Sequence, residues 1–473
     1  MNPAAGDTAS ELVHGRLQRW ASELRERIAL DDGQRTLTFA ELQAAVERIR
    51  CELDTREAPG VVLLEDDARS LDRVVRFLAI VASGRCAAVA DPDWPASARA
   101  AVRVSIGEGH VLPERLRPED PFYIGFTSGS TGRPKGFRRS HSSWTESFRI
   151  CIETFGADAA SRIAAPGRMS HSLFLFGILL GLWSGAGALI QDRFSPELLL
   201  RQLYRGDVRC LLLVPSQLVI MLDWAVHHAR PPVHDVRLIL ISGARWSRSR
   251  TSEVRNLFPR ARIVEFYGSS ETSFIAWMDA DANAPPGLVG TPFANVELRI
   301  RPCPRGGEAG LIYVRSPMVF MDYACTAEDP TAAHRDGSWL SVHDVGKLDG
   351  AGRLHLVGRR HRMIVTQGKN LFPEEVEAVL ALHPSVVAVS VHGVAHPIRG
   401  QEVVAAVKLR PGCDVEASCL ARWCRNRLEP FKVPRSFLTC KSWPMTAGGK
   451  TDHPCIARLL QSFEASACLR QLP

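Results

Sequence analysis

An α/β architecture, with a large N-terminal domain of parallel sheets and a smaller α+β domain after it, follows from three features of this 473-residue chain. First, apolar runs at 208–214, 236–241 and 261–266 each stop at a small polar loop: Pro215-Ser216, Ser242-Gly243-Ala244 and Tyr267-Gly268-Ser269-Ser270. Helical stretches at 217–228 and 248–258 intervene, and buried strands alternating with helices imply a parallel sheet covered on both faces. Second, beyond about residue 285 the texture changes to shorter strand-like runs (296–300, 310–315, 353–357) between Gly and Pro turns, a small β-subdomain over about 286–358. Third, the last stretch carries its own α+β pattern: helices at 373–382 and 417–428, and strands at 386–391 and 402–409. The domains are therefore expected at 1–358 and 359–473, joined through the charged segment GRRHRM.

The most informative stretch lies in the first domain. Residues 123–136 read YIGFTSGSTGRPKG, a strand-type apolar run that empties into Thr127, Ser128, Gly129, Ser130, Thr131 and Gly132, with Lys135 just beyond. Glycines and hydroxyl side chains present N–H and O–H donors to polyphosphate oxygens, and lysine adds a compact charge. Such a loop is expected at the edge of a parallel sheet. A flexible Ser/Gly linker needs neither the strand nor the lysine. Lysine is scarce here, seven of 58 basic residues, so a retained one is chosen for its chemistry. The common nucleoside-triphosphate loop does not fit. Gly449-Lys450-Thr451 mimics its end, but Pro444 stands where the first glycine belongs.

Residues 169–191 carry no charge, and 173–190 are long and apolar enough for a spanning helix. Glycines 177, 181, 185 and 187 favour instead a buried helix followed by a buried strand, GAGALIQ, leaving room only for a weak membrane association. The net charge of +7 comes from scattered arginines, which argues against a nucleic-acid face. Twelve cysteines in no metal-ligand or disulfide spacing, behind a charged N-terminus, point to free thiols in a cytoplasmic protein.

Five stretches in order resemble the adenylate-forming superfamily, which includes acyl-CoA synthetases, peptide-synthetase adenylation domains and firefly luciferase. They are FTSGSTGRPKG, EFYGSSET, GLIYVRSPMVFMDY, WLSVHDVGKLDGAGRLHLVGRRHRMIVTQGKNLFPEEVE and PMTAGGKTD, and the similarity covers about residues 37–452. The resemblance implies a two-step reaction. A carboxylate attacks the α-phosphate of Mg-ATP to give acyl-AMP and pyrophosphate, and a thiol of CoA or of a carrier-protein phosphopantetheine then displaces AMP. It also implies a mobile C-terminal domain. By the same resemblance, Thr127–Gly132 and Lys135 hold the β- and γ-phosphates. Ser242, Gly243, Ala244, Tyr267 and Gly268 form the adenine slot, with the tyrosine stacked on the base. Ser270, in place of the family's threonine, faces the α-phosphate. Glu271, helped by Thr127, holds Mg²⁺. Asp344 and Arg359 bind the ribose, and Lys450 bridges the reacting carboxylate and α-phosphate.

Departures from the family pattern carry their own expectations. The hinge position is His361 rather than Asp or Lys, which predicts a pH-sensitive domain rotation. The T-G-D before the ribose aspartate reads Val342-His343-Asp344, which predicts an altered turn. Gln367-Gly368 replaces two glycines beside the thiol tunnel, so a side chain at 367 narrows the thiol's path. PGRMSHSLFLFG, residues 166–177, has no acidic residue for a substrate amine, so an apolar acid is expected, with Phe176 and Gly177 lining its tunnel. His171 either gates the carboxylate as a catalytic group or is a packed ring. The leading expectation is a ligase joining a medium or long fatty acid to CoA, acting as monomer or homodimer. The rivals are a stand-alone enzyme loading an aryl or fatty acid onto a carrier protein, and a degenerate nucleotide-binding protein.

Overall fold

The computed structural model describes residues 11–65, 70–106, 112–128, 134–285, 287–302, 308–324, 332–440, 442–446, 450–461 and 469–473. Gly129, Ser130, Thr131 and Gly132 of the phosphate-loop expectation lie outside them. The large sheet begins as six neighbouring parallel strands: Ile28–Asp31, Ala188–Ile190, Ile163–Ala165, Cys210–Leu213, Leu238–Ile241 and Arg262–Ser269. It continues through antiparallel strands Ser273–Asp279 and Leu288–Pro292 into Leu354–Arg359, Asp344–Leu348 and Gly310–Arg315. The β-rich stretch after 285 thus joins the parallel sheet through one hairpin. A separate sheet begins at Ile364 and is built on the long hairpin Val386–His396 and Gly400–Leu409.

The helix Ser172–Trp183 shows why the long apolar segment is core. Its residues from Phe174 to Trp183 are all buried, as a helix apolar on every side must be. It packs on the parallel strands so closely that a Cβ at Gly177 would lie 2.9 Å from Leu212 and 3.1 Å from Ala165. No helix among the described residues is long and apolar enough to cross a membrane.

The phosphate-loop segment departs from expectation. Strand Pro121–Ser128 runs parallel to Cys86–Val89, but its other neighbour is Pro134–Ser140, paired antiparallel with Thr127 opposite Lys135. These two strands thus form a hairpin at the edge of that sheet. The alternation in KGFRRS, with Phe137 and Arg139 buried on one face, is the strand signal that the Gly-Pro punctuation hid.

Two histidines in the N-terminal part, His141 buried and His14 half-buried, make stability pH-dependent. His14 and His141 lie with ring centroids 5.7 Å apart, His141 stacks on Phe122, and Val13 N–H donates to His141 Nδ1 at 3.3 Å. Burial pushes His14 down to about 4 and holds His141 well below its ordinary value. The unfolded chain binds protons on both from about pH 6.5 downward, whereas the fold does not. This stability is complete above that pH and is lost as pH falls towards 4. We expect the thermal midpoint to drop over that window and His14→Phe to flatten the slope, His14 contributing at most about 3 kcal/mol. An identical slope in the variant would refute this.

Candidate active site

Three of the expected nucleotide residues meet at a hairpin register. Asp344 and Arg359 are direct cross-strand partners, and Arg359 Nε donates to Asp344 Oδ1 at 3.2 Å. The Tyr267 hydroxyl donates to Asp344 Oδ2 at 2.5 Å. Asp344 is buried, so both oxygens are oriented before any ligand arrives. Burial, then the Asp344 charge, holds the Tyr267 hydroxyl well above its ordinary value, so it stays a donor. Each carboxylate oxygen keeps a second lone pair for a sugar hydroxyl.

The turn before Asp344 is built on His343. His343 takes φ +63°, the left-handed conformation that glycine adopts without cost. Its N–H bonds Ser341 Oγ at 3.2 Å, and its Nε2 lies 2.8 Å from the Ala332 carbonyl. Those contacts hold a strained residue where the family has glycine.

Strand Arg262–Ser269 carries Tyr267 into a bulged hairpin. A Cβ on Gly268 would lie 1.8 Å from the Ser273 carbonyl oxygen, so only glycine fits. Beyond it, the Ser270 hydroxyl is 3.2 Å from that of Ser172. Glu271 accepts from the Tyr323 hydroxyl at 3.0 Å on Oε1, and its carbonyl accepts Phe320 N–H at 2.7 Å. Oε2 accepts no hydrogen bond among the described residues. An oriented carboxylate with one open oxygen, beside the Ser270 hydroxyl, is a hard oxygen set that fits Mg²⁺.

Lys450 is brought to this cleft by the C-terminal domain. Its loop is tied at the base by Thr446 N–H to the Lys450 carbonyl (2.7 Å), Lys450 N–H to Thr446 Oγ1 (3.2 Å) and Trp443 Nε1 to Thr451 Oγ1 (3.1 Å). Gly243, at φ +90° after strand Leu238–Ile241, lets the lysine lie against the backbone: a Cβ there would be 3.4 Å from Lys450 Cε. Lys450 is open to solvent yet crowded by protein, as in a cleft. Desolvation, then Arg359, brings its ammonium down to about 8, with Glu271 opposing.

At the acid end, His171 precedes helix Ser172–Trp183, its Nε2 3.8 Å from Asp91 Oδ2. Buried Asp91 also takes Arg168 Nη1 and the Ser170 hydroxyl, both at 3.2 Å. One helical turn below Ser172, Phe176 meets Phe274 edge-on at 5.1 Å and packs on Phe148 and Trp144.

Several expected residues are placed elsewhere. Gly177 is buried where the helix packs on the parallel strands, with Leu212 2.9 Å from the place of a Cβ. The Ser242 hydroxyl turns into the sheet and donates to the Phe266 carbonyl at 2.9 Å, leaving Gly243 and exposed Ala244 to face the cleft. Gln367 and Gly368, at φ +53° and +72°, form the exposed two-residue turn between Ile364–Thr366 and Lys369–Leu371. That turn lies beside Arg399, away from Lys450. Burial and Arg359 push His361 down to about 4, so in this arrangement it is neutral around pH 7. Thr127 and Lys135 face each other across the phosphate-loop hairpin. Residue-by-residue reading missed Arg139, Tyr323 and Asp91. Only Arg139 left a trace, an arginine in phase with buried Phe137.

The family profile described as AMP-binding enzyme matches residues 100–324, and that of the AMP-binding enzyme C-terminal domain matches 375–450. The chain is 35% identical over 352 residues, 73% of its length and 70% of the relative's, to an uncharacterized acyl–CoA ligase, YhfT, of Bacillus subtilis. It is 30% identical to the 2-succinylbenzoate–CoA ligase of Arabidopsis thaliana, over 73% of this chain and 68% of that one. Among solved structures, o-succinylbenzoate CoA synthetase of Bacillus subtilis with its acyl-adenylate superposes with TM-score 0.80 at 23% identity, covering 97% and 98% of the two chains. ATP-bound MatB of Rhodopseudomonas palustris gives 0.81 at 22%, covering 96% and 99%. At such identities the superpositions speak for the fold alone.

Proposed function

Because this chain belongs to the family of AMP-binding enzymes, we propose that its cleft activates a compact apolar carboxylic acid with Mg-ATP and passes the acyl group to CoA. The enzyme is an AMP-forming acid–CoA ligase. The observation that carries the adenylation reading is Lys450 seated against Gly243, among the Glu271, Asp344 and Arg359 charges. No residue outside such a centre requires this convergence of opposite charges from two domains, which argues against a degenerate nucleotide-binding protein.

The chemistry asks for charge neutralisation and alignment rather than a protein nucleophile. Asp344 and Arg359 fix the sugar. Lys135 and the loop before it take the departing pyrophosphate. Glu271, Ser270 and Thr127 would hold Mg²⁺, which supplies charge neutralisation on the phosphates when bound. Lys450, a compact cation with three donors, holds the acid's carboxylate against the α-phosphate. His171, 3.8 Å from Asp91, guards the acid's entry.

The aromatic floor limits the acid. In this reading the acid's body runs from Lys450 past the Ser172–Ser270 pair, and the Phe176–Phe274 contact one helical turn further in sets its length. This favours a short fatty or aryl acid over a long-chain one. Phe176→Ala should extend the accepted chain by several carbons, at a stability cost of about 3–5 kcal/mol. A longer acid should recover part of the lost thermal midpoint. Unchanged length selectivity in a folded variant would refute the plug.

The deciding experiment is pyrophosphate release over a panel of acids graded by length and aromaticity, followed by thioester formation with free CoA. Acid-dependent release with thioester formed on CoA supports the proposal. Release without CoA capture favours a carrier-protein acceptor, and no release over the whole panel defeats it.

A further inference from the structure

Among the described residues, the largest fully buried side chain is a cation with no carboxylate bonded to it. Arg139, 1% exposed, lies on strand Pro134–Ser140, four residues after Lys135. Its Nε donates to Ser143 Oγ at 3.2 Å and its Nη1 to the Ser270 carbonyl at 2.8 Å. Its Nη2 donates to Ser273 Oγ and the Met318 carbonyl, each at 2.6 Å, and lies 3.4 Å from the Ser143 carbonyl. Every acceptor is a neutral oxygen. Burying a guanidinium on such terms is costly. Burial draws it down to about 9 and Glu271 acts against that, so it remains charged at neutral pH.

What it binds explains the cost. Ser270 and Ser273 bracket Glu271, and Ser273 sits at φ +57°, a conformation that β-carbon residues adopt only under restraint. Met318 opens the segment whose Phe320 N–H and Tyr323 hydroxyl grip the backbone and carboxylate of Glu271. One planar fork thus joins three segments around a single carboxylate. The fixed geometry of five N–H donors suits this, and a lysine's point charge does not.

We propose that Arg139 is a positioning residue for adenylation: by tying Ser270, Ser273 and Met318 to the strand that carries Lys135, it aims the Ser270 hydroxyl and the Glu271 carboxylate at the metal-bound nucleotide. This rests on the proposed function. It assigns to Arg139 no contact with substrate.

The test is the Mg²⁺ dependence of acid-dependent ATP–pyrophosphate exchange in the full-length enzyme, for wild type, R139K, S273A, E271Q, and the doubles R139K/E271Q and S273A/E271Q. R139K should raise the Mg²⁺ concentration for half-maximal rate roughly tenfold, and S273A, which loses one of the anchors, a few-fold. Neither should raise it further when Glu271 is already Gln, because the effect passes through that carboxylate. CoA capture of preformed acyl-AMP should stay near wild type in both single variants. A wild-type Mg²⁺ midpoint in R139K, or full additivity with E271Q, overturns the role. If R139K does not fold, S273A and its double decide by the same two readings. Exchange retained in wild type with an unmoved midpoint in the variants overturns Arg139 alone; no exchange in wild type with any acid overturns the proposed function and this role together.

Discussion

Lys450→Ala will lower acid-dependent ATP–pyrophosphate exchange by roughly 10²–10³-fold while leaving CoA capture of preformed acyl-AMP within a few-fold of wild type. The asymmetry follows from how the lysine reaches the cleft. It sits on a loop of the C-terminal domain and touches the N-terminal domain at Gly243, so its charge is present only while the two are closed. The ammonium, brought down to about 8, should lose its proton across the alkaline range used for assays. Exchange should therefore decline as pH rises through about 8. Lys450→Arg, which stays charged, should move that decline upward at a lower maximal rate, because a planar fork does not replace a point charge. Equal loss of both half-reactions in Lys450→Ala would defeat the two-conformation reading.

Asp344→Ala will raise the ATP concentration for half-maximal exchange by about 10²-fold or more, with little change in that for the acid. Each sugar hydroxyl bonded to a carboxylate contributes about 1.5–3 kcal/mol, and two are lost. The substitution also strips Tyr267 and Arg359 of the group that orients them, and it leaves a hydroxyl and a guanidinium facing each other in a crowded cleft. Asp344→Asn, which keeps the shape and loses the charge, should fall between. An ATP dependence within threefold of wild type in Asp344→Ala would remove Asp344 from the nucleotide site.

The α/β alternation and the buried apolar helix were legible because each is local. A strand ends where its apolar run meets Gly or Ser, and a uniformly apolar helix must be core. The hairpin of the phosphate loop was not legible as such, since a strand of seven residues containing Lys, Gly and two Arg has weak propensity and is held by pairing with Pro121–Ser128. His343 shows the limit from the other side. A residue type argued against a turn, and tertiary contacts to Ser341 and Ala332 imposed the turn regardless.

By itself the sequence determined which groups are available: the donors, the two lysines, the carboxylates Glu271 and Asp344, and the absence of an acidic residue within 166–177. Only the tertiary structure decided which of them act together. It turned the Ser242 hydroxyl into the sheet and Gly177 into the core, and it carried Gln367-Gly368 to an exposed turn. It packed Phe176 edge-on against Phe274. It set Arg139 behind Glu271, 132 residues away in the chain. Side-chain chemistry is a property of residue type, whereas direction and neighbour depend on register and packing between segments far apart in sequence.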